Sequence, residues 1–301
     1  MSIVENRYDF VYYFDCQDGN PNGDPDSDNS PRVDPETFQG LVSDVCLKRK
    51  IRDYVYQKQQ VSGSIAKGYD VFVLSGDTLE HRQRMPFDHL KTEIAPKGKD
   101  TKVGDIRKAR DWMCEHFFDI RSFGAVMTTT EFNCGQVRGP VQITFSRSLD
   151  RVSTTEHTIF RQAFTGEKDI KPGSIGTFGR KHTLAYGLYR AYGFINPVFA
   201  KQTGFSDDDL KLLWKALENM FGIDHSAARG FMSPRGLFVF KHDSALGEAP
   251  AHRLFDLVTT KLKDGVVSPR NFSDYESPSV DSAKLPTGVE LITPFAASAA
   301  A

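Results

Sequence analysis

Tyr8 to Cys16 reads YDFVYYFDC, a run of aromatic and β-branched positions with no turn residue, and it predicts a strand lying centrally in a sheet. Asn20 to Pro31 then packs prolines, a glycine and many Asn and Asp together, which forbids regular structure. Pro35 to Lys58 reads as a helix: Leu47, Ile51 and Tyr54 form a core face, while Lys48 and Arg52 share another face beside Arg49 and Lys50. Tyr69 to Leu74 alternates like a second strand. Residues 75–104 are polar, basic and broken by Gly and Pro, as an insertion would be. Asp105 to Phe118 is an amphipathic helix with Ile106, Ala109, Met113 and Phe117 inward.

In the second half, Val141, Ile143 and Phe145 alternate on a strand reaching Asp150. Residues 151–181 are polar and Gly-rich towards their end, and Leu184 to Ile195 resumes a strand. A segment of about thirty residues between two strands predicts a functional protrusion. Ser206 to Phe221 is a helix capped by Ser206, with Leu210, Leu213, Trp214, Leu217 and Phe221 inward. Gly236 to His242 is the next strand, and Arg270 to Asp281 is rich in turn residues. Helices fall between strands but not after every one. That order predicts an α+β chain with an RRM-like (ferredoxin-like) core and large insertions, one elaborated domain over residues 1–301.

Composition changes this picture little: of 301 residues 39% are hydrophobic and 26% charged, enough for a core without disulfides or metals. No apolar run approaches the roughly 20 residues of a spanning helix, no secretory signal is visible, and Cys16, Cys46, Cys114 and Cys134 lack zinc-site spacing. Free thiols in a cytoplasmic protein with no membrane contact, metal or cofactor are expected. The low-complexity end, residues 296–301, is a frayed tail or an expression scar.

Charge changes it more. The net charge of −1 argues against a free-standing nucleic-acid binder, yet the charge is sorted along the chain. Residues 44–60 carry a net +3 and residues 147–190 a net +4, while residues 20–36 carry a net −4. Each basic cluster reads as a solvated face or a phosphate-binding one. The second, with Arg147, Arg151, Arg161, Lys168, Lys171, Arg180, Lys181 and Arg190, also holds Phe160, Phe164 and Phe178, as single-strand binding surfaces do.

Other motifs fall short. Asp24, Asp26 and Asp28 have calcium-loop spacing, but Asn29 and Pro35 stand where Gly and Glu are needed, so a turn with Asx hydrogen bonds is expected. Gly173 to Gly179 is GxxGxxG, not a dinucleotide fingerprint, and offers backbone freedom. His182 between Lys181 and Thr183 is the best general-base candidate for RNA cleavage, or a phosphate contact. Arg235 to Phe240 matches an RRM signature only in part and reads as a core strand.

Five ordered stretches carry a family resemblance: NPNGDPDSDNSPR (Asn20–Arg32), GLVSDVCLKRKIRDYV (Gly40–Val55), DIRSFGAVM (Asp119–Met127), RGPVQITFSRSLD (Arg138–Asp150) and HTLAYGLYRAYGFIN (His182–Asn196). Over residues 5–245 the chain resembles the "Cas seven" family, the backbone subunit of the type I-C CRISPR surveillance complex, Cascade. The resemblance implies an RRM-like palm with fingers including 75–104 and a thumb over 151–181. It implies a non-enzymatic subunit that polymerises with its own copies along CRISPR RNA beside other Cascade subunits. The guide stays free to pair with target DNA. Ser43, Lys48, Arg49 and Arg52 match the family's guide-gripping motif.

Physically, such a subunit should hold phosphate and leave bases unread. Phe160 or Phe164 is expected to hold the stack open, with Arg161 and Lys168 on phosphates. The acidic loop, 20–36, is a structural turn or meets a neighbouring subunit, with Arg32 its one cation suited to RNA. Two other functions stay open: an RNA-processing endonuclease on the same fold and an RNA-free protein scaffold.

Overall fold

A computed structural model describes residues 2–128, 130–170 and 176–296. Strand β1 (Tyr8–Gly19) precedes the short pair β2 (Gly23–Asp24) and β3 (Ser30–Pro31), then β4 (Gln39–Val42) and helix α1 (Asp44–Val61). Helices α2 (Leu79–His89), α3 (Val103–His116) and α4 (Phe118–Phe123) lead to the antiparallel pair β5 (Gly124–Met127) and β6 (Gly135–Arg138). Strands β7 (Val141–Ile143), β8 (Ser146–Arg151), β9 (Thr154–Arg161) and β10 (Thr177–Ile195) follow, then helices α5 (Pro197–Thr203) and α6 (Asp207–Asn219). The chain continues through β11 (Phe231–His242), α7 (Ala251–Phe255), β12 (Val258–Thr259), β13 (Ser279–Val280) and β14 (Val289–Ala296).

The strands build a large antiparallel sheet in the order β14-β11-β1-β10-β8-β4, with β7 and β9 also pairing β10. β1 is central and buried on both faces, as its unbroken apolar run requires. Side chains alternate across the sheet. Phe10, Tyr12 and Phe14 point to one face and pack with Leu47 and Ile51 of α1 and Leu213 and Leu217 of α6. The Tyr12 hydroxyl donates to the Leu217 carbonyl at 2.8 Å, so this buried polar atom is satisfied. Gly193 is required here, because a Cβ would sit 1.9 Å from the Phe10 ring. Val11, Tyr13, Leu188, Phe238 and Phe240 point to the other face, beneath Leu254, Phe255, Val258, Phe272 and Tyr275. The segment after β11 therefore covers the middle of the sheet's second face.

A third core lies in the lobe between α1 and β7, with Phe72, Phe87, Met113, Phe117 and Val137 among its members. Two buried ion pairs tie that lobe to the sheet's helices. Asp119 of α4 accepts from Arg52 Nε of α1 at 2.7 Å and from the backbone N–H groups of Phe72 and Val73. Arg121 donates to both carboxylate oxygens of Asp209 on α6, at 3.0 and 2.7 Å.

Several expectations hold. The central strand is there, α6 starts at the Ser206 cap with a reciprocal capping box closed by Asp209, and β11 contains the predicted 236–242 strand. Others are corrected. The helix expected from Pro35 begins at Asp44, because the Asp34 carboxylate takes the N–H groups of Glu36 and Thr37 into a turn and β4 then pairs β8. The strand expected over Tyr69–Leu74 is a single bridge from Asp70 to Phe117, since Asp119 claims the next N–H groups. The strand to Asp150 breaks after Ile143, where Thr144 N–H turns to the Tyr192 carbonyl and Phe145 swings out to solvent. The insertion 75–104 contains α2. The protrusion is no loop at its base: β9 pairs the first eight of the 19 residues of β10, from Arg161↔Thr177 to Thr154↔Leu184.

Among the described residues no helix is long and apolar enough to cross a membrane. All four cysteines are free, and burial pushes the Cys16 and Cys134 thiols up to about 12, which leaves them unreactive.

Candidate nucleic-acid interface

The acidic loop and the start of α1 form one unit. Asn22 Oδ1 accepts from both the backbone N–H and the Oγ of Ser43, at 2.9 and 2.8 Å, while Ser43 Oγ caps the helix by accepting from Cys46 N–H. Ser43 is thus buried in a helix cap. Asp24 accepts from Asp26 N–H and pairs with Arg32 at 3.3 Å, and the Asn20 side chain donates to the Asn29 carbonyl. These are the Asx hydrogen bonds of a structural turn. No cluster of three His, Cys, Asp or Glu placed to hold a metal occurs among the described residues.

The basic face of α1 is compensated inside the chain. Lys48 pairs with Asp44 at 2.9 Å, Arg49 with Asp53 at 3.2 Å, Lys50 with Asp224, and Arg52 with Asp119. Lys48 and Arg52 also lie over the Phe123 ring, at 5.8 and 5.3 Å from its centroid. Burial pushes the Asp224 carboxyl up, but hydrogen bonding and charge from Lys50, with Arg229 and Arg49, outweigh it and hold the carboxyl down. Of the four, only Arg49 is well exposed.

The ribbon of β9 and the start of β10 is different. Every residue of β9 is exposed. Register places Glu156, Thr158 and Phe160 on one face with Phe178, Arg180 and His182, and His157, Ile159 and Arg161 on the other with Thr177 and Lys181. The Phe160 and Phe178 rings meet at 5.2 Å and stay 43% and 65% exposed, an apolar pair that the fold itself does not bury. Phe164 is half-buried. Gly176 is needed at the ribbon's end: its φ is +127°, and a Cβ would meet the Arg161 carbonyl at 2.3 Å. Arg180 pairs with Glu156 at 3.3 Å. Arg161 donates to the Thr165 hydroxyl at 2.6 Å, and among the described residues Arg161, Lys168 and Lys181 have no carboxylate partner. Lys171 lies outside the described residues. His182 at the ribbon's base is largely buried, with Nε2 3.5 Å from Asp28 Oδ2.

Arg147, on β8, donates to Asp34 Oδ2 at 2.7 Å. That hydrogen bond, then the Thr37 and Glu36 N–H groups, holds the Asp34 carboxyl down to about 2. A depressed carboxylate stabilises the turn above its unfolded value of ~3.9, and the contribution is lost as pH falls through its folded value. An NMR titration of Asp34 should give a midpoint of about 2 that rises in Arg147→Ala. An unchanged midpoint in that variant contradicts the pair.

The partial RRM signature has no surface role, because Phe238 and Phe240 lie in the core under the C-terminal segment. That segment also removes the middle of the second sheet face as a stacking platform. One exposed group escaped the sequence reading, Phe38, whose ring centroid lies 5.8 Å from the guanidinium of Arg151, a member of the second basic cluster. An isolated Phe between Thr37 and Gln39 shows no pattern that marks it.

The class defined by these features is an antiparallel sheet, covered on one face by helices and over the middle of the other by the C-terminal segment, that extends an exposed basic and aromatic ribbon. Residues 6–280 match the family profile described as CRISPR-associated protein Cas7, and the chain belongs to that family. The CRISPR-associated protein Cas7 of Haloferax volcanii (strain DS2) is 26% identical over 235 residues, which is 71% of this chain and 65% of that relative, a little under two thirds of its length. A chain of a solved CRISPR RNA-guided surveillance complex, pre-nicking, superposes with a TM-score of 0.51 at 12% identity, covering 78% of each chain. That likeness concerns the fold.

Proposed function

We propose that the chain is a CRISPR RNA-binding backbone subunit of a type I-C surveillance complex, Cascade, and works in the cytoplasm without catalysing a reaction. Copies of it polymerise along the guide spacer next to other Cascade subunits, and the guide bases stay free to pair with target DNA. The observation that carries this reading is the exposed ribbon whose Arg161, Lys168 and Lys181 have no carboxylate partner among the described residues, around the Phe160–Phe178 pair. Unpaired cations track a phosphate backbone, and exposed rings insert beside bases, without reading sequence.

In this reading the core is RRM-like. Support comes from the order β11-β1-β10-β8 with α1 and α6 on one face, the strand order of a ferredoxin-like sheet. The lobe with the third core is the fingers, and the ribbon with its connection is the thumb. Arg32, Arg49, Arg180 and Arg147 are auxiliary phosphate contacts that exchange a carboxylate for phosphate. Ser43, Lys48 and Arg52 shape the helix they stand on. Lys171 belongs with the thumb cations by sequence. Phe160 with Phe178, more than Phe164, is the pair that holds a stack open.

The test is purification without nuclease treatment, followed by incubation with precursor RNA. The expected result is co-purifying RNA, seen in the 260/280 nm absorbance ratio, that stays uncut. RNA-free protein supports a protein scaffold instead. Site-specific cuts lost in His182→Ala support the endonuclease.

A further inference from the structure

One edge of the sheet's second face is left open. There Arg147 and Arg190 stand directly opposite each other across β8 and β10, on the same face. Like charges in register destabilise a strand pair. Asp34 meets Arg147 only, and Arg190 has no carboxylate partner among the described residues; its guanidinium lies 5.2 Å from the Tyr192 ring centroid. The two arginines line a cavity of about 290 Å³ with Gln39, Phe145, Leu149 and Tyr192. Phe145 is exposed at its rim, freed by the break after β7.

Phe38 lies outside the cavity's lining but precedes Gln39, which lines it, and gives an independent sign. Its φ is +57°, a left-handed conformation that is strained for a bulky residue. The turn holds it there: Phe38 N–H donates to the Asp34 carbonyl, its own carbonyl accepts from Val152 N–H at 2.9 Å, and the Gln39 side chain donates to the Ser148 carbonyl. The ring gains little burial for that strain, being 52% exposed beside Arg151. Strain that persists around an exposed ring points to a ligand-facing role.

We propose that this cleft is a nucleotide subsite separate from the ribbon, with one phosphate of a bound single strand between Arg147 and Arg190 and bases stacked on Phe145 and Phe38. It rests on the RNA-binding reading above. An anion between the arginines removes their repulsion, and the flanking rings accept any base.

The test measures binding of an oligouridylate RNA to the unmodified protein, Arg190→Gln and Phe38→Gly over a range of KCl, with thermal melting alongside. Arg190→Gln should lose about fourfold in affinity at 0.15 M salt, with a salt slope shallower by about 0.7. Phe38→Gly should melt no lower than the unmodified protein, since glycine relieves the φ, yet bind about fivefold or more weakly. If the unmodified protein binds and both folded variants bind equally well, the subsite is wrong while the broader reading stands. If the unmodified protein does not bind, the broader reading fails. Variants that bind RNA normally but fail to assemble with other subunits would make the cleft a protein contact and overturn the proposal.

Discussion

Replacing Arg161, Lys168 and Lys181 together by alanine lowers affinity for single-stranded RNA about fiftyfold at 0.15 M salt. The figure follows from counterion release: each lost phosphate contact on a single strand removes about 0.7 from the slope of log K against log salt. Three such contacts flatten the slope by about 2, and at that salt concentration each costs about fourfold. The effect should be uniform across RNA sequences, because cations on a backbone read no bases. Stability should hardly change, as none of the three has a carboxylate partner among the described residues. Filter binding across a salt series with two unrelated sequences checks this. A variant that loses affinity for one sequence only, or keeps the full slope, contradicts the assignment.

Arg52→Ala, by contrast, lowers folding stability by about 3 kcal/mol, the scale for breaking a buried ion pair. Asp119 is 1% exposed and loses its charged partner, held at 2.7 Å, when Arg52 is removed. The same carboxylate holds the N–H groups of Phe72 and Val73, so the lobe's attachment to α1 loosens as well. Urea unfolding measures the loss, and Asp119→Asn in the same background should recover part of it by removing the stranded charge. If Arg52→Ala unfolds like the unmodified protein and loses RNA affinity instead, Arg52 is a phosphate contact and not an anchor.

These two predictions divide the basic clusters in a way the sequence alone did not show. The surplus on residues 44–60 consists of Lys50, Arg52 and Lys58 once Asp44 and Asp53 are matched to Lys48 and Arg49. Lys50 is neutralised by Asp224, 174 residues away along the chain, and Arg52 by Asp119, 67 residues away. Counting charge in a window cannot see partners that only tertiary folding brings. On the protrusion, Arg161, Lys168 and Lys181 have no carboxylate partner among the described residues, because an exposed ribbon brings few distant groups to meet them.

The same distinction runs through the fold. The central strand and the Ser206-capped helix were legible because their signals are local: an unbroken apolar run, and a cap with its own helical stripe. The Tyr69–Leu74 strand failed because Asp119 takes the donors a ladder would need. The helix start slipped from Pro35 to Asp44 because Asp34 and the β8 edge hold the intervening residues. The paired base of the protrusion was missed because β9 is polar and exposed on both faces, so it has no hydrophobic alternation to report. Phe38 and the Arg147–Arg190 cleft were invisible for a related reason. Each depends on which residues come opposite one another, and register is not written in spacing.

The most direct test is an electron-microscopy map of the protein assembled on its RNA. The expected map shows phosphate density against Arg161, Lys168 and Lys181, rings of Phe160 and Phe178 beside a displaced base, and the covered sheet face under residues 251–285 free of RNA. RNA density running over residues 251–285, with the ribbon empty, would contradict it.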